Sequence, residues 1–115
     1  MASLQLHNYL RANRKRLALS QEEVAYLLGT RRGATVCRNE RFVQDPTLET
    51  ALAYEALFQR PVGELFAGLY HEIEARVAAR AKVLAQRADR LKPNKRSARK
   101  RQTFMAIVTA QSRNH

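Results

Sequence analysis

Arginine side chains dominate a short segment in the first third of the chain, at Arg31, Arg32 and Arg38. An arginine guanidinium can donate two parallel hydrogen bonds to O6 and N7 of guanine in the DNA major groove. Thr35, three residues before Arg38, could contact a thymine methyl group or a phosphate. The segment therefore has the side chains needed to read base edges, provided that one helix presents them together.

Two short predicted helices joined by a glycine position these side chains. Ser20 can cap a helix that begins at Gln21, and Glu23, three residues on, completes a capping box. Gly29 can adopt a positive φ without steric penalty, so it can end this helix and turn the chain. A second helix is predicted from about Arg32 to Arg41. Two helices joined in this way are typical of a helix-turn-helix DNA reader.

The rest of the first 68 residues is also predicted to be helical, which makes the chain all-α. A first helix capped by Ser3 should end near Ala18. Asp45 followed by Pro46 is typical of an N-cap and a first helical residue, and predicts a fourth helix through Phe58. Pro61 should start a short fifth helix. In the second helix, three residues at helical spacing are expected to face a core: Val24, Leu27 and Leu28.

The charge distribution predicts a polyanionic partner. The chain has 115 residues and a net charge of +11. Residues 1–68 are nearly balanced, with nine basic and seven acidic side chains, whereas residues 69–115 have twelve and three. Such an excess indicates attraction to nucleic acid. No apolar run has membrane-spanning length and the charged start has no apolar signal region, so we expect a cytoplasmic protein.

No pattern in the sequence suggests catalysis, a metal site or a cofactor. His7, His71 and His115 have no partners at the spacing of a metal site or a catalytic triad. Cys37 is the single cysteine, which excludes an internal disulfide and a cysteine-rich zinc site; it is interpreted as an inert thiol or a redox switch. We therefore expect no enzymatic activity.

The chain resembles the phage repressor and Cro-type helix-turn-helix family, also called the XRE family, over roughly residues 10–66. The motifs that carry the resemblance are Leu10-Arg11, Arg14, Leu19 to Ala25, Leu28-Gly29, Thr35-Val36, Arg38, Glu40-Arg41, Pro46-Thr47-Leu48 and Pro61 to Phe66. The resemblance implies a five-helix, lambda-repressor-like DNA-binding domain. It further implies a homodimer bound to paired half-sites of double-stranded DNA and a role in transcriptional regulation.

The resemblance also implies a role for individual residues. Gln21 matches a position that contacts a phosphate and often a terminal base, while Arg14 and Glu40 match a partly buried ion pair. The exposed face of the recognition helix and the turn before it match Arg31, Arg32, Thr35 and Arg38. The full set of expected DNA contacts is Ser20, Gln21, Arg31, Arg32, Thr35, Arg38 and Arg41.

Two features depart from the family pattern. Gly33-Ala34 stands where one residue is usual, so we expect Gly33 in the turn or in the first turn of the recognition helix. Asn39 stands where an apolar residue commonly packs, and it should need a hydrogen-bond partner near the core.

Residues 69–115 lie outside the resemblance. A long amphipathic helix is predicted over residues 69–91, with an apolar stripe of coiled-coil spacing that could mediate dimerisation or pack on its own domain. The stripe consists of Tyr70, Ile73, Val77, Ala81, Leu84, Ala88 and Leu91. Pro93 should interrupt this helix. Residues 92–115 form a basic tail with a short apolar segment, Phe104 to Val108, that could be helix or strand.

The basic block of the tail has three interpretations: an arm that binds phosphates, an RNA-binding arm, or a disordered solubilising tail. Its residues are Lys95, Arg96, Arg99, Lys100 and Arg101.

For the whole chain, the favoured function is a sequence-specific dimeric regulator, such as a repressor or an autoregulatory factor of a mobile element or toxin–antitoxin locus. The alternative is an antitoxin-like or coactivator-like adaptor whose C-terminal helix binds another protein while its basic surface holds nucleic acid loosely.

Overall fold

The computed structural model describes residues 5–30 and 32–113, and every regular element in this part of the chain is an α-helix. The all-α prediction is therefore confirmed. The helices are α1 (Leu10–Arg16), α2 (Gln21–Leu28), α3 (Gly33–Glu40), α4 (Leu48–Phe58), α5 (Val62–Leu65), α6 (Ala67–Ala88) and α7 (Lys95–Arg113). The chain divides into two compact units between Tyr70 and His71, within α6.

The first unit has one apolar core, to which α1 to α5 all contribute. Helix α2 packs against α3 and α4, while α1 contacts α3 and α5 contacts α4. The rings of Tyr54 and Phe58 are stacked with centroids 5.8 Å apart, and the edge of Phe66 meets Tyr54. The buried apolar residues are Leu10, Val24, Ala25, Val36, Ala51, Tyr54, Phe58, Leu65 and Phe66.

The ends of α1, α2 and α3 share one backbone arrangement. Each helix is followed by a residue with positive φ: Ala18 at 59°, Gly29 at 79° and Phe42 at 65°. The next amide donates to a carbonyl five residues back, as the Thr30 amide does to Ala25. This is the Schellman ending of a helix, which glycine adopts without a steric penalty and other residues adopt with strain. Ala18 and Phe42 therefore carry that strain.

Two predicted helix starts are wrong. Helix α1 begins at Leu10, and Ser3 lies outside the described residues. The Asn8 side chain accepts a hydrogen bond from the Leu10 amide at 3.1 Å, which supports a start at Leu10. Helix α4 is capped by Thr47, whose hydroxyl accepts from the Thr50 amide, rather than by Asp45. The Asp45 carboxylate instead pairs with the His7 ring nitrogen at 2.6 Å.

The inner face of α2 is formed by Val24, Ala25 and the partly buried Leu28. Leu27, which was expected to face the core, is 55% exposed because it lies off that face. The predicted bounds of α2 are confirmed, and α3 agrees with its prediction to within one residue at each end.

The second unit consists of most of α6 together with α7. The buried face of α6 is a row of alanines: Ala78, Ala81, Ala85 and Ala88. The predicted stripe of larger apolar residues is therefore only partly buried, since Ile73, Val77, Leu84 and Leu91 are 41–50% exposed. No helix among residues 5–30 and 32–113 combines the length and apolar character that crossing a membrane requires.

The residues after α6 are largely helical. Pro93 lies in the interruption between α6 and α7, as predicted, and α7 then runs without a break from Lys95 to Arg113. The segment from Phe104 to Val108 is therefore helix, which decides between the two conformations that its residue types allowed. The basic block occupies the first two turns of the same helix, so the interpretation as a disordered tail is wrong.

Candidate nucleic-acid interface

The start of α2 is held by a complete capping box. The Ser20 hydroxyl accepts a hydrogen bond from the Glu23 amide at 3.0 Å, and the Glu23 carboxylate accepts from the Ser20 amide at 2.8 Å. The bond from the Ser20 amide, with a smaller contribution from the hydroxyl, lowers the pKa of Glu23 below its ordinary value. At the other end, Gly29 turns the chain in the left-handed conformation. Both features were predicted from the residue types.

The start of α3 is capped by a side chain from α2. Arg32 is in the N-cap position but its side chain caps nothing. The Gly33 amide donates instead to a Glu22 carboxylate oxygen at 3.0 Å. A Cβ atom at Gly33 would lie within 3.0 Å of that carboxylate, so a larger residue here would displace the Glu22 cap. Gly33 is the first residue of α3, as expected, and the bond from Glu22 was not foreseen from the sequence.

A bidentate ion pair joins α1 to the end of α3. The Arg14 Nε and Nη2 atoms lie 2.6 and 3.1 Å from the two carboxylate oxygens of Glu40. Arg14 also donates to the Leu19 carbonyl, and Gln21 donates to Glu40 at 3.2 Å. The Glu40 side chain is 3% exposed and that of Arg14 13%, and the hydrogen bond to Glu40 raises the pKa of Arg14. This pair, which the resemblance implied, holds α1, α2 and α3 together.

The outer face of α3 presents Thr35 and Arg38 side by side. The Arg38 side chain donates to the Gln44 side-chain oxygen at 3.2 Å and to the Thr35 hydroxyl at 3.4 Å. Arg38 is exposed and Thr35 half-buried. Arg32 is exposed at the N-terminus of the helix, and Arg31 lies outside the described residues. Of the four predicted residues on this face, the structure brings two into contact.

A cleft of about 800 Å³ lies between α1 and α3 and carries positive charge. Arg11, Lys15 and Arg41 line it together with Gln21, above the Arg14–Glu40 pair. Within the described ranges, the side chains of Arg11, Lys15 and Arg41 make no hydrogen bond or ion pair. Gln21 and Arg41 were expected at such a surface. Arg11 and Lys15 were not assigned to it, although their spacing of four residues puts them on one face of α1.

Asn39 is buried, with 2% of its surface exposed, and its side chain and backbone carbonyl are both hydrogen-bonded. Its side chain donates to the Gln44 carbonyl at 2.8 Å and accepts from the Tyr54 hydroxyl at 3.0 Å. Its own carbonyl accepts from the Asn8 side chain at 2.9 Å. The predicted need for a partner near the core is confirmed. The network fixes Gln44, which in turn bonds Arg38.

The second unit has a separate group of cations at the start of α7. Arg101 pairs with Asp89 at 2.8 Å, whereas Lys95, Arg96, Arg99 and Lys100 have no such partner in the described part of the chain. The basic block therefore divides into one paired and four unpaired cations. In the same part of the chain, no group of three or more His, Cys, Asp or Glu side chains could hold a metal ion.

Comparison of the chain with protein-family models, with curated proteins and with solved structures gave no match.

Proposed function

We propose that this protein is a sequence-specific regulator that binds double-stranded DNA and reads the major groove with α3. The observation that carries the proposal is the junction of α2 and α3, where Gly29 and the Glu22 cap orient α3 so that Thr35 and Arg38 lie on its outer face. This arrangement is the one by which helix-turn-helix proteins place a recognition helix in the groove. With α1 to α5 forming one unit, we assign it to the lambda-repressor-like, XRE-type domains.

Arg38 is the residue proposed to read a guanine. Its hydrogen bonds to Gln44 and Thr35 lie at the surface. Replacing them with hydrogen bonds to O6 and N7 of a guanine therefore costs little free energy. A bidentate contact of this kind discriminates by about 1–3 kcal/mol against other bases. Thr35 would contact a thymine methyl or a phosphate, and Arg32 and Arg31 would add contacts from the start of the helix and the turn.

Phosphate contacts are proposed on both sides of α3. Ser20 and Gln21 stand at the N-terminus of α2, where backbone amides favour an anion. Arg41 lines the cationic cleft with Arg11 and Lys15. Such contacts set the position of the protein on the duplex and do not distinguish sequences.

We propose that the protein acts as a homodimer, as a cytoplasmic repressor located on the nucleoid. Dimer formation is supported by exposed apolar side chains that recur every seven residues: Val77 and Leu84 on α6, and Leu91 three residues after its end. A repeat of seven is the spacing by which helices pair in coiled coils. The same exposed residues support the second proposed function, an adaptor that binds another protein through α6.

Selection from random duplex DNA tests the proposed function. Purified full-length protein is incubated with the library at one fixed, near-physiological salt concentration, because phosphate binding by a chain of charge +11 would otherwise dominate. We expect an enriched inverted repeat whose half-site centres lie about 10 base pairs or a multiple apart. Retention without an enriched motif would contradict sequence-specific reading and favour the adaptor.

A further inference from the structure

Five cations surround the start of α7 without a counter-charge. In the described part of the chain, none of their side chains makes a hydrogen bond or an ion pair. They are Lys92, Lys95, Arg96, Arg99 and Lys100. We call these five residues the α7 cation cluster.

The cluster opposes the stability of the helix that carries it. The N-terminus of a helix is the positive end of its dipole, and α7 has no acidic residue in its first turn. Lys95 and Arg99, like Arg96 and Lys100, are like charges four residues apart, a spacing at which they repel. Arg101 differs, since its bond to Asp89 links α7 to the end of α6. The cluster therefore has no evident structural role.

The backbone beneath the cluster is ordered by a reciprocal cap. The Ser97 amide donates to the Asn94 side chain at 2.9 Å, and the Asn94 amide donates to the Ser97 hydroxyl at 3.0 Å. The Ser97 hydroxyl can also donate to the Lys92 carbonyl at 3.1 Å, and Ser97 is 5% exposed. The cations thus project from a fixed turn and helix. The Asn94 and Ser97 amides are therefore already satisfied, and the cation side chains remain available to bond an anion.

Two hollows adjoin the cluster and share Arg96 and Lys100. One, of about 160 Å³, is also lined by Lys92, and the other, of about 290 Å³, by Arg99 and Phe104. A water molecule occupies about 30 Å³ of liquid volume, so each hollow has room for a phosphate group. Arg96 and Lys100 line both hollows and can bond an anion in either.

We propose that the α7 cation cluster binds successive phosphates of a nucleic-acid backbone. Arginine forks and lysine ammonium groups are the side chains that hold phosphate oxygens. The choice of duplex DNA next to the recognised site rests on the proposed function. Binding of this kind adds affinity without sequence preference. It differs from the arm expected from the sequence by including Lys92 and excluding Arg101.

The test compares two double variants of the full-length protein. Arg96→Ala/Lys100→Ala removes the two shared cations, and Arg80→Ala/Lys82→Ala removes one Arg and one Lys from exposed positions of α6. The affinity for a random-sequence duplex is measured by fluorescence anisotropy at several salt concentrations. Each lost phosphate contact lowers the salt slope by about 0.9, so we expect the first variant to lower it by about 2 and the control to leave it unchanged.

The outcomes separate this inference from the proposed function. An equal change in both variants, or no change in either, would overturn the inference, because net charge alone or other residues would then account for binding. The same affinity measurement is made with single-stranded RNA of the same length. If the first variant loses affinity for that RNA and not for the duplex, the choice of duplex DNA is overturned. A random duplex contains no selected site, so the slope can change as expected even where site selection by α3 fails.

Discussion

At the scale of single residues, Asn39 shows how a polar side chain is accommodated in an apolar core. Its amide bonds the Gln44 carbonyl and the Tyr54 hydroxyl, and its carbonyl accepts from Asn8. No buried side-chain polar atom in the described residues lacks a partner. The network links the core to Gln44, which contacts the proposed base-reading Arg38.

We predict that Asn39→Ala lowers the free energy of unfolding by about 1–3 kcal/mol, because the buried Tyr54 hydroxyl loses its acceptor. Urea unfolding measures this change. Tyr54→Phe removes the hydroxyl, so Asn39→Ala should cost less in that background. Equal costs in the two backgrounds would contradict the proposed coupling.

Stability should also fall in alkali because of Tyr54. Burial, with a smaller contribution from Glu40, raises the pKa of Tyr54 well above its ordinary value of 10.0. Above about pH 10 the tyrosine of the unfolded chain loses its proton while the folded one keeps it, so the unfolded state is favoured as pH rises. Tyr54→Phe should show a smaller fall between pH 9 and pH 11 in urea unfolding. An identical fall would contradict this account.

Residue types alone were sufficient to predict the capping box, because it depends on neighbours in sequence. The need of Asn39 for a hydrogen-bond partner was predicted from its departure from the family pattern. The partners of Asn39 lie 15 and 31 residues away at Tyr54 and Asn8, and Glu22 caps a helix 11 residues on. Such contacts depend on how helices pack, which helical spacing alone does not determine.

At the scale of elements, the three Schellman endings differ in strain although they share one geometry. Gly29 adopts a positive φ freely, whereas Ala18 adopts φ 59° with its Cβ atom close to the backbone. Ala18 is exposed and its side chain makes no polar contact. Its conformation goes with the turn after α1, in which the Leu19 amide donates to the Arg14 carbonyl and the Arg14 side chain donates to the Leu19 carbonyl.

We predict that Ala18→Gly raises the free energy of unfolding by about 1 kcal/mol, since glycine removes the strain of the left-handed conformation. The matched control is Ala12→Gly within α1, also at an exposed position, which should lower it by about 0.5–1 kcal/mol. Urea unfolding of the two variants measures whether the free energy of unfolding rises in the first and falls in the second. A loss of stability in Ala18→Gly would contradict the assigned strain.

Helix signals in the sequence were most informative where cap and spacing agreed, as in α2. Asp45 and Pro46 form an equally good local signal, yet Thr47 caps α4 and Asp45 pairs with His7. Leu27 has the helical spacing of a core residue and is exposed. In both cases a tertiary contact, or its absence, overrode a local pattern.

At the scale of the whole molecule, the sequence showed a nearly neutral segment followed by a strongly basic one. The apolar stripe of α6 was predicted from spacing, but spacing could not tell which side is buried. The alanines are buried and Val77 and Leu84 remain exposed. An exposed apolar line of this kind supports the proposed dimer.

We predict that Val77→Asp makes the protein monomeric, because a carboxylate within the proposed interface would be buried without a partner. Ala79→Asp adds the same charge to an exposed position off the line of Val77, Leu84 and Leu91, and should remain dimeric. Analytical ultracentrifugation measures the mass. A wild-type monomer, or dimers of both variants, would contradict the α6 interface.

The most direct measurement of sequence reading is a pair of parallel selections from random duplex DNA, with wild-type protein and with Arg38→Ala. Arg60→Ala, which removes the same charge from an exposed position after α4, is the control. We predict that wild type and control enrich the same inverted repeat, and that Arg38→Ala loses the preference for guanine at one position of each half-site. The same motif from all three proteins, or no motif from wild type, would contradict base reading by α3.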